Sequence, residues 1–330
     1  MRVLFIGGTG VISSACTRLA VERGISLTLL NRGSTTRRPP PESVEILHAD
    51  MRDVTDVEAA LGERTFDVVV DWIAFTPEHI EIDLQLFTDR VGQYIFISSA
   101  SAYHKPVPHL PITESTPLHN PYWQYSRDKI ACELRLEQAH RETGFPVTIV
   151  RPSHTYDRTL LPFHGGYTVI DRMRRGKPIL IHGDGTSLWV LTHHRDFAKG
   201  FIGLLGNPHA LGETVHITSD ELLTWNQIAR ILGQAAEVEP TLVHVASERI
   251  AAYDERWGAS LLGDKSHSVI FDNTKIKRLV PGYRATIPFH EGARELVAWF
   301  DADLSRRSVD DDLDRLMDTI IEENRLSRDS

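Results

Sequence analysis

Residues 3–14 read VLFIGGTGVISS, and this stretch decides the fold class of the chain. A short apolar run comes first, then a turn rich in glycine, then a pattern with helical period. Gly7 and Gly10 match the first two glycines of a dinucleotide-binding turn, and Ser13 stands where the third would be. Because such glycines let the backbone approach a pyrophosphate at a helix N-terminus, we predict a strand, a tight turn and a helix that bind a dinucleotide.

Strands and helices are predicted to alternate after this turn. The predicted strands are 26–30, 44–47, 66–70, 94–98 and 145–150, and the predicted helices between them include 54–61 and 78–91. This order is typical of a parallel sheet covered by helices on both faces. We expect a dinucleotide-binding domain over residues 1–159, rejoined by residues 184–218, with a substrate lobe formed by residues 160–183 and 219–330.

The composition of the chain excludes several classes of protein. Its 330 residues, 41% hydrophobic and 25% charged, are enough for a large core. A net charge of -9 disfavours general binding to nucleic acid or to an anionic membrane. No apolar run of about 18 residues and no leader pattern is recognised, and the two cysteines have no metal-ligand spacing. We expect a cytoplasmic enzyme with buried thiols.

The chemistry is predicted to lie in residues 121–133, PYWQYSRDKIACE. Tyr125 and Lys129 are four residues apart, so a helix would place both side chains on one face. A lysine ammonium held beside a phenol favours the phenolate, which lowers the tyrosine pKa from its usual value of about 10. Tyr125 is therefore a candidate acid or base near neutral pH. The pair alone also fits ordinary surface packing, so the hypothesis depends on the glycine-rich turn and on YIFISSASAY at 94–103.

Four motifs in this order resemble the extended short-chain dehydrogenase/reductase family, the nucleotide-sugar epimerases and dehydratases. They are GGTG at 7–10, SSASAY at 98–103, the Tyr125 and Lys129 pair, and Arg151-Pro152. Residues 183–201 and 216–229 also resemble the return segment of the family and the strand and helix that follow it. The resemblance implies an α/β fold, a Rossmann-type doubly wound parallel sheet with a smaller α+β C-terminal substrate lobe.

The resemblance also implies catalytic roles for three residues. Ser99 would hydrogen-bond the reacting hydroxyl, Tyr125 would exchange its proton, and Lys129 would lower the tyrosine pKa and hold the nicotinamide ribose. The cofactor would accept the hydride. In the 4,6-dehydratases an Asp-Glu pair follows the serine or threonine, whereas Ala100 and Ser101 follow here, so that dehydration machinery is missing.

The cofactor is expected to be NAD, with NADP left open. Asn31 and Arg32 follow the second strand, where an NAD site usually has an acidic residue and where an arginine accommodates a 2′-phosphate. The expectation of NAD comes from the resemblance, because family members that return the hydride to the same substrate commonly hold NAD tightly. The predicted cofactor-binding residues are Gly7, Gly10, Val11, Ile12, Asn31, Arg32, Asp50, Met51, Ile73, Ala74, Tyr125, Lys129 and Pro152.

Three departures from the family pattern bear on the substrate. Trp189 and the pair Leu261-Leu262 stand where arginines would bind a diphosphate, and His154 replaces an asparagine. Burying a diphosphate without cations is costly, whereas an indole offers a flat apolar face and one donor. We therefore expect a substrate without a diphosphate, held in part by Trp189. The basic residues that could still meet a diphosphate are Arg158, Arg172, Arg174, Arg175 and Lys265, and the predicted substrate-binding residues are Thr76, Ser99, Ser101, His154 and Trp189.

The sequence thus predicts an NAD(P)-dependent epimerase or dehydratase of a sugar-like substrate that acts by transient oxidation. One alternative is an NADPH-dependent carbonyl reductase, favoured by Arg32. Another is an RNA-binding protein on the same fold, because the NRG turn at 31–33 and the second lobe resemble chloroplast stem-loop RNA-binding proteins. The net charge and the intact Ser99, Tyr125 and Lys129 disfavour nucleic acid as a partner. No metal and no membrane partner is expected, and a homodimer is left open.

Overall fold

The computed structural model describes residues 1–33 and 37–329 and contains a central sheet of seven parallel strands. The strands of the chain are β1 (Arg2–Ile6), β2 (Ser26–Asn31), β3 (Glu45–His48), β4 (Phe66–Asp71), β5 (Val91–Ile97), β6 (Val147–Pro152), β7 (His154–Tyr156), β8 (Ile179–His182), β9 (Leu188–Trp189), β10 (Leu191–His193), β11 (Thr214–Ile217), β12 (Leu223–Thr224) and β13 (Leu242–Val245). The central sheet has the order β11-β6-β5-β4-β1-β2-β3. Three two-stranded sheets pair β10 with β7, β12 with β9, and β13 with β8.

Helices cover both faces of the central sheet. The α-helices of the described residues are α1 (Ser13–Glu22), α2 (Val54–Leu61), α3 (Pro77–Phe87), α4 (Gln124–Thr143), α5 (Tyr167–Arg174), α6 (His194–Ile202), α7 (Trp225–Ala235), α8 (Ser247–Tyr253), α9 (Glu255–Ser260), α10 (Thr274–Leu279), α11 (Phe289–Asp301) and α12 (Asp311–Asp329). Successive residues of a strand point to opposite faces, so Val3 and Phe5 pack with α1 and α6, whereas Leu4 and Ile6 pack with α2, α3 and α4. The predicted doubly wound Rossmann-type sheet is confirmed.

A second core holds the C-terminal part of the chain together. It contains residues of β8, β9 and β10 and of helices α5, α7 and α11, including Trp189 and Trp225. The fully buried Arg172 joins this core to α12, because its guanidinium donates to Asp314 Oδ1 at 2.5 Å and to Asp318 Oδ1 at 2.8 Å. Trp189 packs in the second core, whereas α6 packs on α1. The sequence predicted a return to the first domain from residue 184, whereas we propose from this packing that the return begins at α6.

Several element boundaries differ from the sequence expectation for local reasons. The helix predicted over 78–91 ends at Phe87, since Asp89 takes a left-handed backbone with φ of 58° and β5 begins at Val91. The helix that carries Tyr125 runs on to Thr143 and ends at a left-handed Gly144. Both cysteines are buried free thiols.

Candidate active site

The turn between β1 and α1 leaves its backbone open to a ligand. Gly7 and Gly8 have φ of +103° and +97°, and a Cβ on Gly8 would lie 2.6 Å from Leu29 Cδ2. Gly8 is thus the glycine that close packing requires, and we did not single it out from the sequence. Ser13, in the place of the third glycine, accepts a hydrogen bond from the Gly10 N–H at 2.8 Å. The first turn of α1 has no acidic residue and no side-chain cap, so its N–H groups favour an anion.

A cavity of about 410 Å³, called the turn cavity here, lies beside this turn. It is lined by the predicted residues Gly7, Asn31, Arg32, Asp50, Met51 and Ile73, and also by Thr9, Gly33, His48, Arg52 and Phe75. Asn31 accepts a hydrogen bond from the Gly33 N–H at 2.8 Å, and the exposed Arg32 guanidinium lies 4.0 Å from the Asp50 carboxylate. The side chain of Arg32 therefore stays within reach of a ligand in the cavity.

Arg52 is a functional candidate that sequence reasoning missed. Its guanidinium nitrogen Nη2 donates to the Ile73 carbonyl at 2.5 Å. The nitrogen Nη1 is buried without a hydrogen-bond partner in the described part of the chain. A buried charged donor is costly unless it is paired. Together with the open turn, this donor fits an anionic group such as the pyrophosphate of a dinucleotide. No sequence signal marks Arg52, because its contact with Ile73 depends on the sheet.

A second cavity of about 370 Å³, called the tyrosine cavity here, lies beside the ends of β5 and β6. It brings together the predicted residues Ile12, Ser99, Ser101, Tyr125, Pro152, His154 and Trp189. The other predicted residues, Gly10, Val11, Ala74, Thr76 and Lys129, line neither this cavity nor the turn cavity. The Val11 carbonyl is within hydrogen-bonding distance of His194 Nδ1 at 3.1 Å, and Thr76 precedes α3.

Tyr125 and Lys129 lie on the first turns of α4, and Ser99 lies just after β5. The Lys129 ammonium donates to the carbonyls of Ala74 and Ile97, at 2.7 Å each, and lies 5.9 Å from the centre of the Tyr125 ring. A lysine has three N–H donors, so one is left after these two bonds. The tyrosine cavity can hold a hydroxyl or carbonyl group beside the phenol, whereas the Lys129 ammonium is buried.

The pKa of Tyr125 differs in direction from the sequence expectation. Burial raises it, a hydrogen bond with Ser99 opposes that rise, and the Asp264 carboxylate adds to it. Burial also lowers the pKa of Lys129 to about 8. Lys129 is not among the causes of the Tyr125 pKa shift, and its ammonium donates to two backbone carbonyls. In this state the phenol holds its proton at neutral pH.

Trp189 is less available for contact with a substrate than the sequence suggested. Its side chain lines the tyrosine cavity but is only 3% exposed, and its Nε1–H donates to His154 Nδ1 at 3.1 Å. Leu261 is buried in the second core. Among the five basic candidates, Arg172, Arg174 and Arg175 are paired with acidic residues and Arg158 is exposed, whereas Lys265 lines the tyrosine cavity. Asp264 and Trp123 also line it and were missed as site residues.

Residues 1–33 and 37–329 contain neither a metal-binding cluster nor a helix that could span a membrane. No cluster of three or more His, Cys, Asp or Glu side chains is arranged to hold a metal ion. None of the helices found there is long and apolar enough to cross a membrane.

Comparisons with known proteins agree with this geometry. The model of the NAD-dependent epimerase/dehydratase family matches residues 3–218. The chain is 29% identical over 263 residues to "Chloroplast stem-loop binding protein of 41 kDa b" of Arabidopsis thaliana, covering 74% of this chain and 65% of that protein. It is 24% identical over 289 residues to 2′-dehydrokanamycin reductase of Streptomyces kanamyceticus, covering 86% and 80%.

A solved structure shares the fold over nearly the whole chain. The UDP-glucose 4-epimerase of Thermotoga maritima, solved with UDP-glucose, has a TM-score of 0.74 at 21% identity, covering 92% of this chain and 100% of that one. Because the family model spans well over half of the sequence, the similarity is not confined to the glycine-rich turn. The chain belongs to the NAD-dependent epimerase/dehydratase family, as its sequence motifs predicted.

Proposed function

We propose that this protein is an NAD-dependent enzyme that oxidises a sugar-like alcohol transiently and ends in epimerisation or dehydration. The observation that carries the proposal is the position of Ser99 and Tyr125 in one cavity, with Lys129 one helical turn further along α4. Family membership and the turn cavity support NAD as the cofactor.

The residues of the turn cavity fit a dinucleotide. Gly7, Gly8 and the uncapped start of α1 would meet the pyrophosphate, and the unpaired Nη1 of Arg52 offers a further donor. Asn31, Arg32 and Asp50 would lie near the adenosine ribose. NAD, when bound, supplies the hydride acceptor that no side chain can provide.

The side chains of this chain provide the proton transfer and the positioning. Tyr125 would first lose its own phenol proton, would then as a phenolate take the proton from the substrate hydroxyl during oxidation, and would return it to the carbonyl oxygen afterwards. Ser99, which lines the same cavity as Tyr125, would hold the same oxygen. Lys129, fixed by two carbonyls, would use its remaining donor on the cofactor ribose or the substrate. Burial favours the protonated phenol, so the phenol proton must leave before Tyr125 can act as the base of the oxidation step.

The experiment that tests this function is turnover with a panel of free sugars, nucleosides, sugar phosphates and nucleotide sugars. Each compound is incubated with the NAD-loaded protein, while nicotinamide absorbance is followed and the products are resolved by NMR. A new epimer or dehydrated product with no net change in the cofactor supports the proposal. Failure of every compound to give a product, while the cofactor stays bound, would count against it.

A simple carbonyl reductase is the second candidate, and it has support of its own. The chain is similar to a protein named 2′-dehydrokanamycin reductase over most of both lengths, and Arg32 suits a 2′-phosphate. Stoichiometric loss of NADPH with a ketone substrate, in the same assay, would favour this candidate over the redox-neutral reaction.

RNA binding is the candidate from another class. It is supported by 29% identity to a protein named for stem-loop binding, of which this chain spans 65%. A net charge of -9 opposes it, since phosphate contacts need lysine and arginine. A gel shift with stem-loop RNA whose affinity falls steeply with salt would favour RNA binding. Weak binding without salt dependence would exclude it.

A further inference from the structure

The tyrosine cavity and a second, neighbouring cavity meet at Lys265 and His154. Both side chains line the tyrosine cavity and also a deeper cavity of about 200 Å³, called the aromatic cavity here. The walls of the aromatic cavity include Phe163, Trp225 and Trp257. A substrate whose reacting carbon lies at Tyr125 can therefore place another group between Lys265 and His154.

The backbone of Lys265 is fixed while its ammonium is left free. The Lys265 carbonyl accepts hydrogen bonds from Trp225 Nε1 at 3.2 Å, His182 Nε2 at 3.0 Å and Ser187 Oγ at 3.3 Å. The ammonium lies 5.5 Å from the centre of the Trp123 ring, and no residue in the described part of the chain accepts a hydrogen bond from it. A partly buried ammonium without an acceptor is costly, so the site is arranged for an anionic partner.

His154 supplies a second donor beside this ammonium. Its Nδ1 accepts the hydrogen bond from Trp189, and burial together with the Lys265 charge lowers its pKa to about 3. A neutral imidazole has one N–H, and because Nδ1 is the acceptor the proton is on Nε2. The junction of the two cavities, formed by Lys265 and His154, therefore presents an ammonium and an imidazole N–H.

The charges around the junction leave one net positive charge. Asp264 is the only carboxylate among the described residues that line the two cavities, and it lies 3.3 Å from the fully buried ammonium of Lys105. Asp264 also attracts the Lys265 ammonium, so the two lysines and the one carboxylate together carry one net positive charge. A diphosphate carries at least two negative charges and a phosphate monoester about -1.5 to -2. A carboxylate carries one charge and two acceptor oxygens, which matches one cation and one neutral donor.

We propose that Lys265 and His154 bind a single carboxylate of the substrate, so that the enzyme acts on an acidic sugar or a related hydroxy acid. This proposal rests on the function proposed above and narrows its substrate class. The charge count disfavours a nucleotide sugar, in agreement with Trp189 standing in place of an arginine.

The test is calorimetric binding to the NAD-loaded protein with matched pairs of ligands. The uronates D-glucuronate and D-galacturonate are compared with the neutral sugars D-glucose and D-galactose, and D-glucose 6-phosphate is added as a phosphate monoester. At least one uronate should bind roughly tenfold to a hundredfold more tightly than its neutral counterpart, since the bond to Lys265 is charge-assisted. Lys265→Met should abolish this preference. Lys277→Met is the control, because Lys277 pairs with Asp220 at the surface.

Thermal unfolding and NAD binding of Lys265→Met establish that the variant is folded. Equal binding of uronates and neutral sugars, no binding of either uronate, tighter binding of the phosphate, or a preference that survives in Lys265→Met would each overturn the proposal. The measurement needs no turnover, so it separates this proposal from the proposed function. Tyr125→Phe should keep the uronate preference, and turnover retained in that variant would refute the catalytic role alone.

Discussion

Replacing Arg151 by methionine should destabilise the protein strongly, because Arg151 neutralises the buried Glu133 carboxylate on the helix that carries Tyr125. Arg151 Nε donates to Glu133 Oε1 at 3.0 Å and Oε2 at 3.2 Å, and Ser98 Oγ donates to the same carboxylate. Glu133 is 0% exposed and lies one helical turn after Lys129 on α4. Arg151→Met leaves that charge without its cation, which typically costs about 3–5 kcal/mol.

The assay is urea unfolding at neutral pH, with the midpoint and the slope measured for each variant. Arg141→Met is the control, since Arg141 pairs with Glu137 at the surface, where such pairs contribute about 0–1 kcal/mol. The double variant Glu133→Gln with Arg151→Met should recover part of the loss, because both charges are then removed. A loss in Arg151→Met no larger than that in Arg141→Met, or strictly additive effects in the double variant, would refute this account.

Three further predictions concern the cofactor, acid stability and the glycine-rich turn. Arg32→Ala should weaken NADP binding by about tenfold or more and leave NAD binding nearly unchanged. If titrations give the same affinity for each cofactor before and after the mutation, Arg32 does not contact a 2′-phosphate. Four histidines have pKa values lowered by burial, to about 3 for the first and about 4 for the others: His154, His182, His193 and His194. Since the unfolded chain binds these protons near pH 6.5 and the folded chain does not, the free energy of unfolding should fall as pH drops from about 6.5 toward 4. The slope should reach about 1.4 kcal/mol per pH unit for each histidine, and equal stability at about pH 7 and pH 5 would contradict it. Gly8→Ala should lower the free energy of unfolding by roughly 1–3 kcal/mol and weaken NAD binding, because φ at Gly8 is +97° and a Cβ there would meet Leu29. An unchanged melting temperature and an unchanged NAD affinity would contradict both effects.

Local features of the fold were predictable from the sequence, because neighbouring residues determine them. The strand, turn and helix around Gly7 and Gly10, and the alternation that follows, depend on period and on glycine alone. The C-terminal end of α3 was not predictable in this way, since the left-handed backbone of Asp89 is not demanded by its residue type.

The electrostatics of the candidate site could not be read from the sequence, because they depend on burial and on distant segments. Spacing on α4 suggested that Lys129 lowers the tyrosine pKa, but packing directs that ammonium to carbonyls of β5 and of the loop after β4. The hydrogen bond from Trp189 to His154 joins residues 35 apart in sequence. Lys265 and His154 meet only because two lobes of the fold bring their segments together.

The proton-transfer role of Tyr125 is tested most directly by comparing Tyr125→Phe with Tyr122→Phe. Tyr122 is 43% exposed and lies three residues earlier, so its variant controls for the loss of a phenol from the same segment. With the substrate identified from the panel, Tyr125→Phe should lose about 10² to 10⁴-fold in kcat while binding NAD within about twofold of the wild type, and Tyr122→Phe should keep its activity. A Tyr125→Phe enzyme that retained most of its kcat would contradict the account.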